Sequence, residues 1–411
     1  MSHADAMDAV LASVADEFGS PAYVYFTDHI EGQIETLRTI FDNRFSISYA
    51  AKSNPNPGLL AWLATRIENL DISSIGEMRL GKQAGWAPEA MSFTGPGKLD
   101  RELREGIENG LGELIVESVD EARRADRIAA ELGRRQRIMV RIGPNEVPKG
   151  FGDQMAGRPS PFGVDIEEIH EAMPQILALD NLDLVGLHIY SGTQCLNAAS
   201  ICDNYRIFMR IYREVCERYD ITPERLVFGS GLGIPYFDYD KPLDAQAVGD
   251  GIRDDLAAFQ AEPRFAGTEL MLELGRFLVG GSGYYVTRVT ALKQSRGTSI
   301  AICDGGMNHH IVAAGHFGMV IHRNYVMHRV GGGEPAGKVN LHGPLCTPLD
   351  RLASGIELPK LQVGDLIAVH SSGAYGVTAS PVNFISHKPP TEVLVVGNER
   401  RDVSRKLSDI Y

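Results

Sequence analysis

Short runs of aliphatic and β-branched residues alternate with amphipathic stretches between residues 45 and 273 of this chain. Each run has the length of a buried strand, and most are followed by a turn signal and then by apolar positions at helical spacing. The pattern therefore predicts repeated βα units. The predicted strands are Phe45–Ala51, Asn69–Ile72, Met91–Thr94, Leu114–Glu117, Arg137–Ile142, Leu184–Tyr190, Leu226–Phe228 and Glu269–Glu273.

Eight consecutive βα units favour an α/β fold built on a (β/α)8 barrel, the TIM barrel, over an open doubly wound sheet. Downstream, the hydrophobic period changes to two in runs such as Gly283–Leu292 and Ile367–Val369, which indicates a second, β-rich domain, sandwich-like or barrel-like. We expect the barrel to cover residues 28–277. Residues 278–411 would form the second domain, completed by a strand from residues 1–27.

The bulk properties of the chain agree with this picture and exclude several classes of partner. A chain of 411 residues is longer than one hydrophobic core usually organises. The net charge of −13, without a Lys/Arg stripe, argues against nucleic acid as a partner. No basic leader precedes an apolar run, and no stretch is apolar for long enough to span a bilayer, so we expect a cytoplasmic protein without membrane association. The five cysteines include no CxxC pair, which suits a reducing compartment.

The strongest local signal is a lysine at the end of the first predicted strand, in Tyr49-Ala50-Ala51-Lys52-Ser53-Asn54-Pro55-Asn56. There Lys52 would lie in the mouth of the barrel, where a fixed and partly desolvated amine is suited to Schiff-base chemistry with a carbonyl group. An ordinary lysine that reaches solvent from a strand end fits the same position. Position alone leaves both interpretations open.

Three further features belong to the predicted barrel. The turn Gly229-Ser230-Gly231-Leu232-Gly233 follows the seventh strand, where barrels commonly bind phosphate, although such a turn can also be only a tight reversal. Glu273 ends the eighth strand opposite Lys52, or forms a structural pair with Arg276. His188 and Tyr190 are two residues apart on the sixth strand and should point to the same side, towards a planar ligand or, for His188, into the core.

Spacing does not place two motifs of the second domain, Gly343-Pro344-Leu345-Cys346 and Gly373-Ala374-Tyr375. Cys346 would by default be an inert buried thiol. Five histidines between residues 309 and 328 suggest a metal site, but their spacing fits no compact ligand set and no carboxylate lies between them. We therefore expect no metal.

Taken together, these motifs resemble those of the fold type III pyridoxal-phosphate decarboxylases, which have the alanine-racemase fold and include diaminopimelate, ornithine and arginine decarboxylases. The resemblance follows the family's order over nearly the whole chain. It runs through Pro21-Ala22-Tyr23-Val24-Tyr25, YAAKSN, Asp71-Ile72-Ser73-Ser74-Ile75-Gly76-Glu77, GLHIYSGTQ, GSGLGIPY, ELGR, GPLC and GAY. It implies decarboxylation of an amino acid with pyridoxal 5'-phosphate as the cofactor.

The resemblance also implies roles for individual residues. Lys52 resembles the lysine that carries the cofactor, Glu273 the carboxylate on its pyridine nitrogen, and Cys346 the cysteine that enters from the partner subunit and protonates the substrate carbon after carbon dioxide leaves. A homodimer with shared active sites is thereby implied. The other implied contacts are the polar residues Asp71, Glu77 and Arg141 around the lysine, the phosphate-binding set Thr193, Ser230, Gly231, Arg276 and Tyr375, the cofactor-binding Gly275, and the substrate-binding set Cys346, Thr347 and Tyr375.

Four departures from the family's motifs are visible. Tyr190 stands where the HxGS motif has the histidine that stacks on the cofactor, so that stacking falls to Tyr190 or to His188. Leu274 replaces the proline of the EPGR motif, and we expect this substitution to have a mild effect. Thr347 replaces an acidic residue that grips a distal ammonium, and Val312 replaces an arginine that holds a distal carboxylate in diaminopimelate decarboxylases.

The last two departures concern the substrate, because a site without a charged partner discriminates poorly for a charged end. We expect a substrate whose distal end is neutral, conjugated or tethered, such as a glutamyl unit on a carrier protein or an amino-acid adduct in siderophore assembly. One alternative is decarboxylation of free diaminopimelate, lysine or ornithine. Another is racemisation or epimerisation at Cα, against which the GPLC motif argues. A non-enzymatic cofactor carrier would be a single barrel without the second domain.

Overall fold

The computed structural model describes residues 3–317 and 322–405. The α-helices within these ranges, α1 to α10, are His3–Glu17, Thr27–Ile40, Pro57–Leu63, Ile75–Gln83, Asp100–Glu108, Val119–Glu131, Ile169–Leu177, Ala198–Arg218, Ala245–Ala261 and Arg276–Val279. The strands, β1 to β20, are Ala22–Phe26, Phe45–Ala50, Asn69–Ile72, Met91–Phe93, Glu113–Val116, Gln136–Gly143, Asp153–Gln154, Val164–Asp165, Leu182–Ile189, Gly192–Thr193, Arg225–Gly229, Glu269–Leu274, Gly283–Ser295, Thr298–Cys303, Met327–Arg329, Gly337–His342, Arg351–Leu358, Leu366–Val369, Thr391–Val396 and Glu399–Asp402.

Eight parallel strands form a closed barrel within the unit that comprises residues 33–234 and 242–277. Their order is β5-β4-β3-β2-β12-β11-β9-β6, and the pairing of β5 with β6 closes the ring. Helices follow the strands in alternation along the chain. All eight predicted strands are present, so the prediction of a (β/α)8 barrel is confirmed.

The barrel is specified by its apolar interior and by the caps of its helices. Residues from the five neighbouring strands β5, β6, β9, β11 and β12 meet in a buried cluster of Ile115, Met139, Val185, Val227 and Met271. Five helices begin directly after a side chain that accepts a hydrogen bond from the first helical turn, which fixes the βα turn geometry. These caps are Asn56, Ser74, Ser118, Asn197 and Asp244.

A long loop, residues 144–168, connects β6 to α7. It contains the short strand β7, which pairs with β10 through Gln154–Gly192 and Asp153–Thr193, and ends in β8, which pairs with β6. The loop is therefore attached to the strand ends where barrel enzymes place their chemistry.

The other unit comprises residues 3–32, 235–241, 278–317 and 322–405 and is rich in strands, as predicted. Its sheet has the order β17-β16-β14-β13-β1-β19-β20, and β18 pairs with β13 and β15. The strand β1 lies between β13, which is antiparallel to it, and β19, which is parallel. Leu11 and Val14 of α1 pack with Ala22 and Val24 of β1 in the buried cluster of this unit.

His310 and His328 of this unit bond to different partners. His310 Nε2 lies 3.0 Å from Ser372 Oγ, and His328 Nε2 lies 2.7 Å from Asp8 Oδ1. Among the described residues, no group of three or more His, Cys, Asp or Glu side chains is arranged to hold a metal ion. Within the same ranges, none of the helices combines the length and the apolar character that crossing a membrane requires.

Candidate active site

Polar side chains occupy the carboxyl ends of the barrel strands. Lys52 lies in the short 3-10 turn after β2, and Asp71, Arg141, His188 and Glu273 lie in β3, β6, β9 and β12. Arg141 pairs directly with His188 across β6 and β9. Because the eight strands are parallel, all five residues share one end of the barrel.

His188 and Glu273 form a buried hydrogen-bonded pair. The distance from His188 Nε2 to Glu273 Oε2 is 2.7 Å, and the side chains are 1% and 3% exposed. Burial acts to raise the pKa of Glu273, but the charge and hydrogen bond of His188, helped by Lys52 and Arg141, hold that pKa below its ordinary value. His188 Nδ1 is buried and has no hydrogen-bond partner in the described part of the chain. The pair is therefore an ionised carboxylate held by an imidazole that keeps one polar atom for a ligand.

Lys52 lies beside an aromatic ring and three carboxyl groups. Its Nζ atom is 5.7 Å from the centre of the Tyr190 ring. Burial, followed by repulsion from Glu273, raises the pKa of Asp71 well above its usual range, and burial also raises the pKa of Glu77; the ammonium group of Lys52 opposes both rises. An amine in this setting is fixed in position by its charge environment.

The position of Tyr190 differs from the sequence expectation. The predicted strand Leu184–Tyr190 ends at Ile189, so the alternation of a strand no longer governs the direction of Tyr190. His188 keeps its place in the strand and bonds to Glu273, whereas the Tyr190 ring neighbours Lys52. The two residues therefore have different surroundings.

Asp71 is oriented by hydroxyl groups of β4 and the residue after it. The Thr94 hydroxyl donates to Asp71 Oδ1, and Ser92 Oγ donates to the same oxygen at 3.2 Å. Asp71 Oδ2 is buried and has no hydrogen-bond partner among the residues described. One oxygen of a fixed carboxyl group thus remains for a ligand, since buried polar atoms normally find a partner.

Arg141 forms a second buried pair, with Glu117. Arg141 Nη1 lies 3.0 Å from Glu117 Oε1, and the Glu117 carboxylate also accepts hydrogen bonds of 2.8 Å from the main-chain N–H groups of Gly95 and Gly163. The Phe162 ring lies 4.7 Å from the guanidinium carbon of Arg141. Because Phe162 and Gly163 directly precede β8 in the long β6–α7 loop, this network anchors the loop to the barrel.

The glycine-rich turn after β11 packs tightly against the long loop. Gly231 has a φ of +69°, and a Cβ atom there would lie 2.5 Å from the Phe151 ring. Its carbonyl accepts a hydrogen bond of 2.9 Å from Cys195 N, and Ser230 Oγ accepts a hydrogen bond of 3.4 Å from Leu232 N. Only glycine fits the conformation and the space at position 231.

The remaining predicted phosphate-binding residues of the barrel unit lie at the same strand ends. Thr193 lies in β10, paired with β7 of the long loop. Gly275 follows β12, where a Cβ atom would lie 2.6 Å from Ser53 Oγ, and Arg276 begins α10. These segments are turns that follow the neighbouring strands β9, β11 and β12, a setting suited to an anion.

Cys346 and Thr347 lie in the other unit, in the loop between β16 and β17. Asp350 ends this loop, is 1% exposed, and accepts hydrogen bonds from Leu345 N at 2.8 Å and Met307 N at 2.7 Å. Burial raises the pKa of Asp350, and the two main-chain donors oppose that rise. All five cysteines are free thiols, and Cys346 is exposed whereas the other four are buried. The default expectation of a buried thiol at Cys346 is therefore wrong.

Tyr375 also belongs to this unit and has an unusual backbone. Its φ is +55°, a conformation that residues other than glycine rarely adopt. The preceding Gly373 lies so close to Val279 that a Cβ atom would be 1.7 Å from the Val279 carbonyl oxygen, and Gly376 lies against Tyr23. The turn that carries Tyr375 is held on both sides, as strained positions usually are.

The barrel thus brings together most of the predicted site residues, and it adds three that the sequence did not single out. Glu117 and Thr94 end predicted strands, so the strand-end criterion that selected Glu273 would have found them. Phe151 lies in a loop without hydrophobic periodicity, which gives no comparable signal. The assembled barrel site offers a fixed amine, an ionised carboxylate and a glycine-lined turn, which can hold an anionic carbonyl compound and react with it.

Comparison with known proteins gives one consistent result. The pyridoxal-binding domain of the pyridoxal-dependent decarboxylases matches residues 27–280. The chain is similar to L-glutamyl-[BtrI acyl-carrier protein] decarboxylase of Niallia circulans, with 34% identity over 97% of this chain and 94% of that protein. It is also similar to diaminopimelate decarboxylase of Aquifex aeolicus, with 32% identity over 96% of this chain and 91% of that protein.

A solved structure extends the similarity to the fold. The crystal structure of diaminopimelate decarboxylase from M. jannaschii superposes with a TM-score of 0.86 and 25% identity over 97% of this chain and 92% of that one. Sequence and fold thus agree over almost the full length of the chain. The chain therefore belongs to the pyridoxal-dependent decarboxylases and is an amino-acid decarboxylase that uses pyridoxal 5'-phosphate.

Proposed function

We propose that this decarboxylase acts on an α-amino acid whose distal end is conjugated, tethered or neutral. The observation that carries the proposal is the loop between β16 and β17, in which Asp350 supplies the only carboxylate of the described segment Gly343–Asp350. That carboxylate is buried and accepts from Leu345 N and Met307 N. Beside Cys346, Thr347 offers a hydroxyl that accepts from Leu349 N at 3.3 Å. The loop therefore has no carboxylate to grip a distal ammonium.

Val312 supports the same conclusion for a distal carboxylate. It is half-buried and apolar, at the position that resembles the arginine of diaminopimelate decarboxylases. An unpaired charge brought into a water-poor site costs on the order of a few kcal/mol, which disfavours both kinds of charged end. The relative from Niallia circulans acts on a glutamyl unit tethered to a carrier protein, which is a substrate of the proposed class.

The barrel residues fit pyridoxal 5'-phosphate. When bound, the cofactor withdraws electrons from the substrate's Cα as carbon dioxide leaves. We infer that Lys52 carries the cofactor and that the ionised Glu273, held by His188, keeps its ring nitrogen protonated. Tyr190, next to Lys52 Nζ, would cover one face of the ring. The buried Asp71 Oδ2 and His188 Nδ1, which lack partners in the described chain, fit a polar ligand at this place.

The phosphate group would be bound by the turn region at the ends of β9, β11 and β12. Main-chain N–H groups in such turns bind anions through aligned dipoles, and an arginine adds a charge-assisted hydrogen bond. Arg141, paired with Glu117, would line the site without contributing net charge. The proposed phosphate contacts are Thr193, Ser230, Gly231, Gly275, Arg276 and Tyr375.

We further infer that Cys346 protonates the substrate carbon in the other subunit of a homodimer. Lys52→Ala and Cys346→Ala should each be inactive, and mixing them should restore activity because one site of a mixed dimer then has both residues. Subunit exchange is verified by native mass spectrometry with one isotopically labelled variant. Absence of recovery after verified exchange would show that both residues serve the same subunit's site or that Cys346 is structural.

A substrate panel tests the proposed class. Wild-type enzyme with cofactor is given L-glutamyl-BtrI acyl-carrier protein, L-glutamyl pantetheine thioester, free glutamate, diaminopimelate, lysine and ornithine, and products are identified by mass spectrometry. We expect conjugates to exceed the free diamino acids in kcat/KM by roughly 100-fold. Lys52→Ala is the inactive control and should lose the visible absorbance of the bound cofactor. Preference for free diaminopimelate would refute the masked-end proposal, and inverted substrate without carbon dioxide release would indicate a racemase.

A further inference from the structure

A groove crosses one end of the sheet in the second unit. It has a volume of about 540 Å³ and is formed by the ends of β13, β14, β16 and β17 and by the segment after β17. Its apolar lining includes Leu292, Ile300, Val339 and Leu361, and Leu292 is 43% exposed. Single exposed apolar residues are ordinary, but an apolar groove of this size suits the contact face of a partner.

The polar part of the lining is cationic. Lys293, Lys338 and Lys360 line the groove, and together they are three of the ten lysines of the chain. Among the described residues none of the three makes an ion pair, and the lining itself includes no carboxylate; Glu357, the cross-strand partner of Lys338 on β17, lies outside the lining. The chain as a whole carries 53 acidic and 40 basic residues. A local patch of unpaired positive charge on a strongly acidic protein is therefore a place where an acidic partner can approach.

We propose that the groove is the docking site of the acidic carrier protein that delivers the tethered substrate; this rests on the proposed function. The net charge of −13 disfavours the approach of an acidic carrier to the protein as a whole, and the three lysines offer a local attraction that opposes this repulsion. The apolar floor then receives an apolar stripe of a carrier helix. A carrier must dock and leave once per turnover, and a small contact with charges at its rim gives fast association without tight binding.

The groove is close along the chain to the cysteine loop. Val339 in the groove and Cys346 are seven residues apart in the same unit, so they are separated by at most about 25 Å even in a fully extended chain. A substrate on a long flexible arm attached to a docked carrier can span such a distance. Docking would therefore take place on the subunit that supplies Cys346.

A second copy of this chain is the rival occupant. A stable dimer interface buries about 800 Å² per partner, which is more than one narrow groove lined by thirteen residues readily supplies. A second copy carries the same excess of acidic residues and would therefore also be attracted to the lysines. It would remain bound, however, whereas unpaired lysines at the rim of a small contact suit a transient partner. The two occupants give different results in the test below.

The test compares one substrate head in two forms, L-glutamyl-BtrI acyl-carrier protein and L-glutamyl pantetheine thioester, which lacks the carrier. The holoenzyme variant Lys293→Glu/Lys338→Glu/Lys360→Glu should raise KM for the carrier-borne form at least about tenfold and leave the thioester unchanged. The control Lys82→Glu/Lys241→Glu/Lys388→Glu makes the same change in net charge at exposed lysines outside the groove. Wild-type KM for the carrier-borne form should rise with ionic strength, and the groove variant, whose glutamates repel the carrier, should lose or reverse that dependence.

The outcomes distinguish carrier docking in the groove, contact between two copies of the chain, and the proposed function itself. An unchanged KM in the groove variant, or an equal rise in the control, refutes docking in the groove while the proposed function stands. A groove variant that sediments as a smaller species than wild type identifies the groove as an interface between copies and also refutes carrier docking. Wild-type enzyme that turns over the thioester but ignores the carrier-borne form refutes carrier delivery itself.

Discussion

Asp350 is placed to control the position of Cys346. It joins the β16–β17 loop to the loop after β14 through Leu345 N and Met307 N. A Cβ atom at Gly343 would lie 2.4 Å from Asp350 Oδ2, so the two loops approach the carboxylate as closely as glycine allows. Asp350→Ala removes this connection and leaves two main-chain N–H groups without their acceptor.

The size of the effect follows from the two hydrogen bonds. A hydrogen bond to a charged group contributes about 1.5–3 kcal/mol, and the two bonds share one carboxylate, so Asp350→Ala should lower the free energy of unfolding by about 3 kcal/mol. Asp350→Asn retains one acceptor oxygen, so it should lower the free energy of unfolding by about half as much. A displacement of the loop by about 1 Å would lower kcat by roughly 10- to 100-fold, because proton transfer from Cys346 depends on its position.

Three measurements test this reasoning. Urea unfolding gives the stability, substrate turnover gives kcat and KM separately, and the alkylation rate of Cys346, the exposed thiol among the five, reports the mobility of its loop. We expect kcat to fall, KM to change little and alkylation to become several-fold faster. Asp365→Ala is a matched control, since Asp365 accepts from Gln362 N at 2.8 Å within its own turn. If Asp350→Ala loses stability but keeps wild-type kcat and alkylation, Asp350 is structural only.

Three further predictions concern the barrel, the second unit and the substrate. Glu273→Gln should retain the cofactor absorbance but lower kcat roughly 10²- to 10³-fold, and near-normal turnover would remove Glu273 from the mechanism. Burial lowers the pKa of His310 to about 3, so the unfolded chain takes up a proton that the folded protein refuses, and stability falls as the pH drops below about 6.5. Between pH 7.5 and pH 5, the free energy of unfolding of His310→Asn, measured with urea, should therefore fall by about 2 kcal/mol less than that of the wild type. Equal falls would show that His310 does not cause this pH dependence. Thr347→Glu should raise the kcat/KM ratio of lysine to the conjugate roughly tenfold, and an unchanged ratio would show that position 347 does not meet the distal end.

The barrel could be predicted from the sequence because its strands are short, largely apolar segments that alternate with turns and helical patterns. The strand ends then located Lys52 and Glu273, since parallel strands present their carboxyl ends together. The direction of the Tyr190 side chain does not follow from this logic, for a local reason. The strand ends one residue earlier than the hydrophobic run, and the period of two has no meaning beyond that residue.

Contacts between distant segments could not be predicted. Met307 N and Asp350 are 43 residues apart, and Glu117 meets Arg141 across 24 residues. Such pairs depend on side-chain conformation and on the packing of loops, neither of which leaves a periodic signal in one sequence. The sequence could therefore suggest that Cys346 matters but not what holds its loop.

The central place of β1 in the second sheet has a consequence for biosynthesis. Tyr25 pairs with Gly283 and Ala22 with Thr391, so both neighbours of β1 emerge from the ribosome tens of seconds after it, at about 5–20 residues per second. During that time β1 is an apolar strand with two open edges, which is prone to aggregate. The helix α1 is already complete and packs on Ala22 and Val24 in the finished protein. If α1 shields β1 until its neighbours are synthesised, deletion of the helix should reduce the yield of folded enzyme. It should reduce the activity of each folded molecule less.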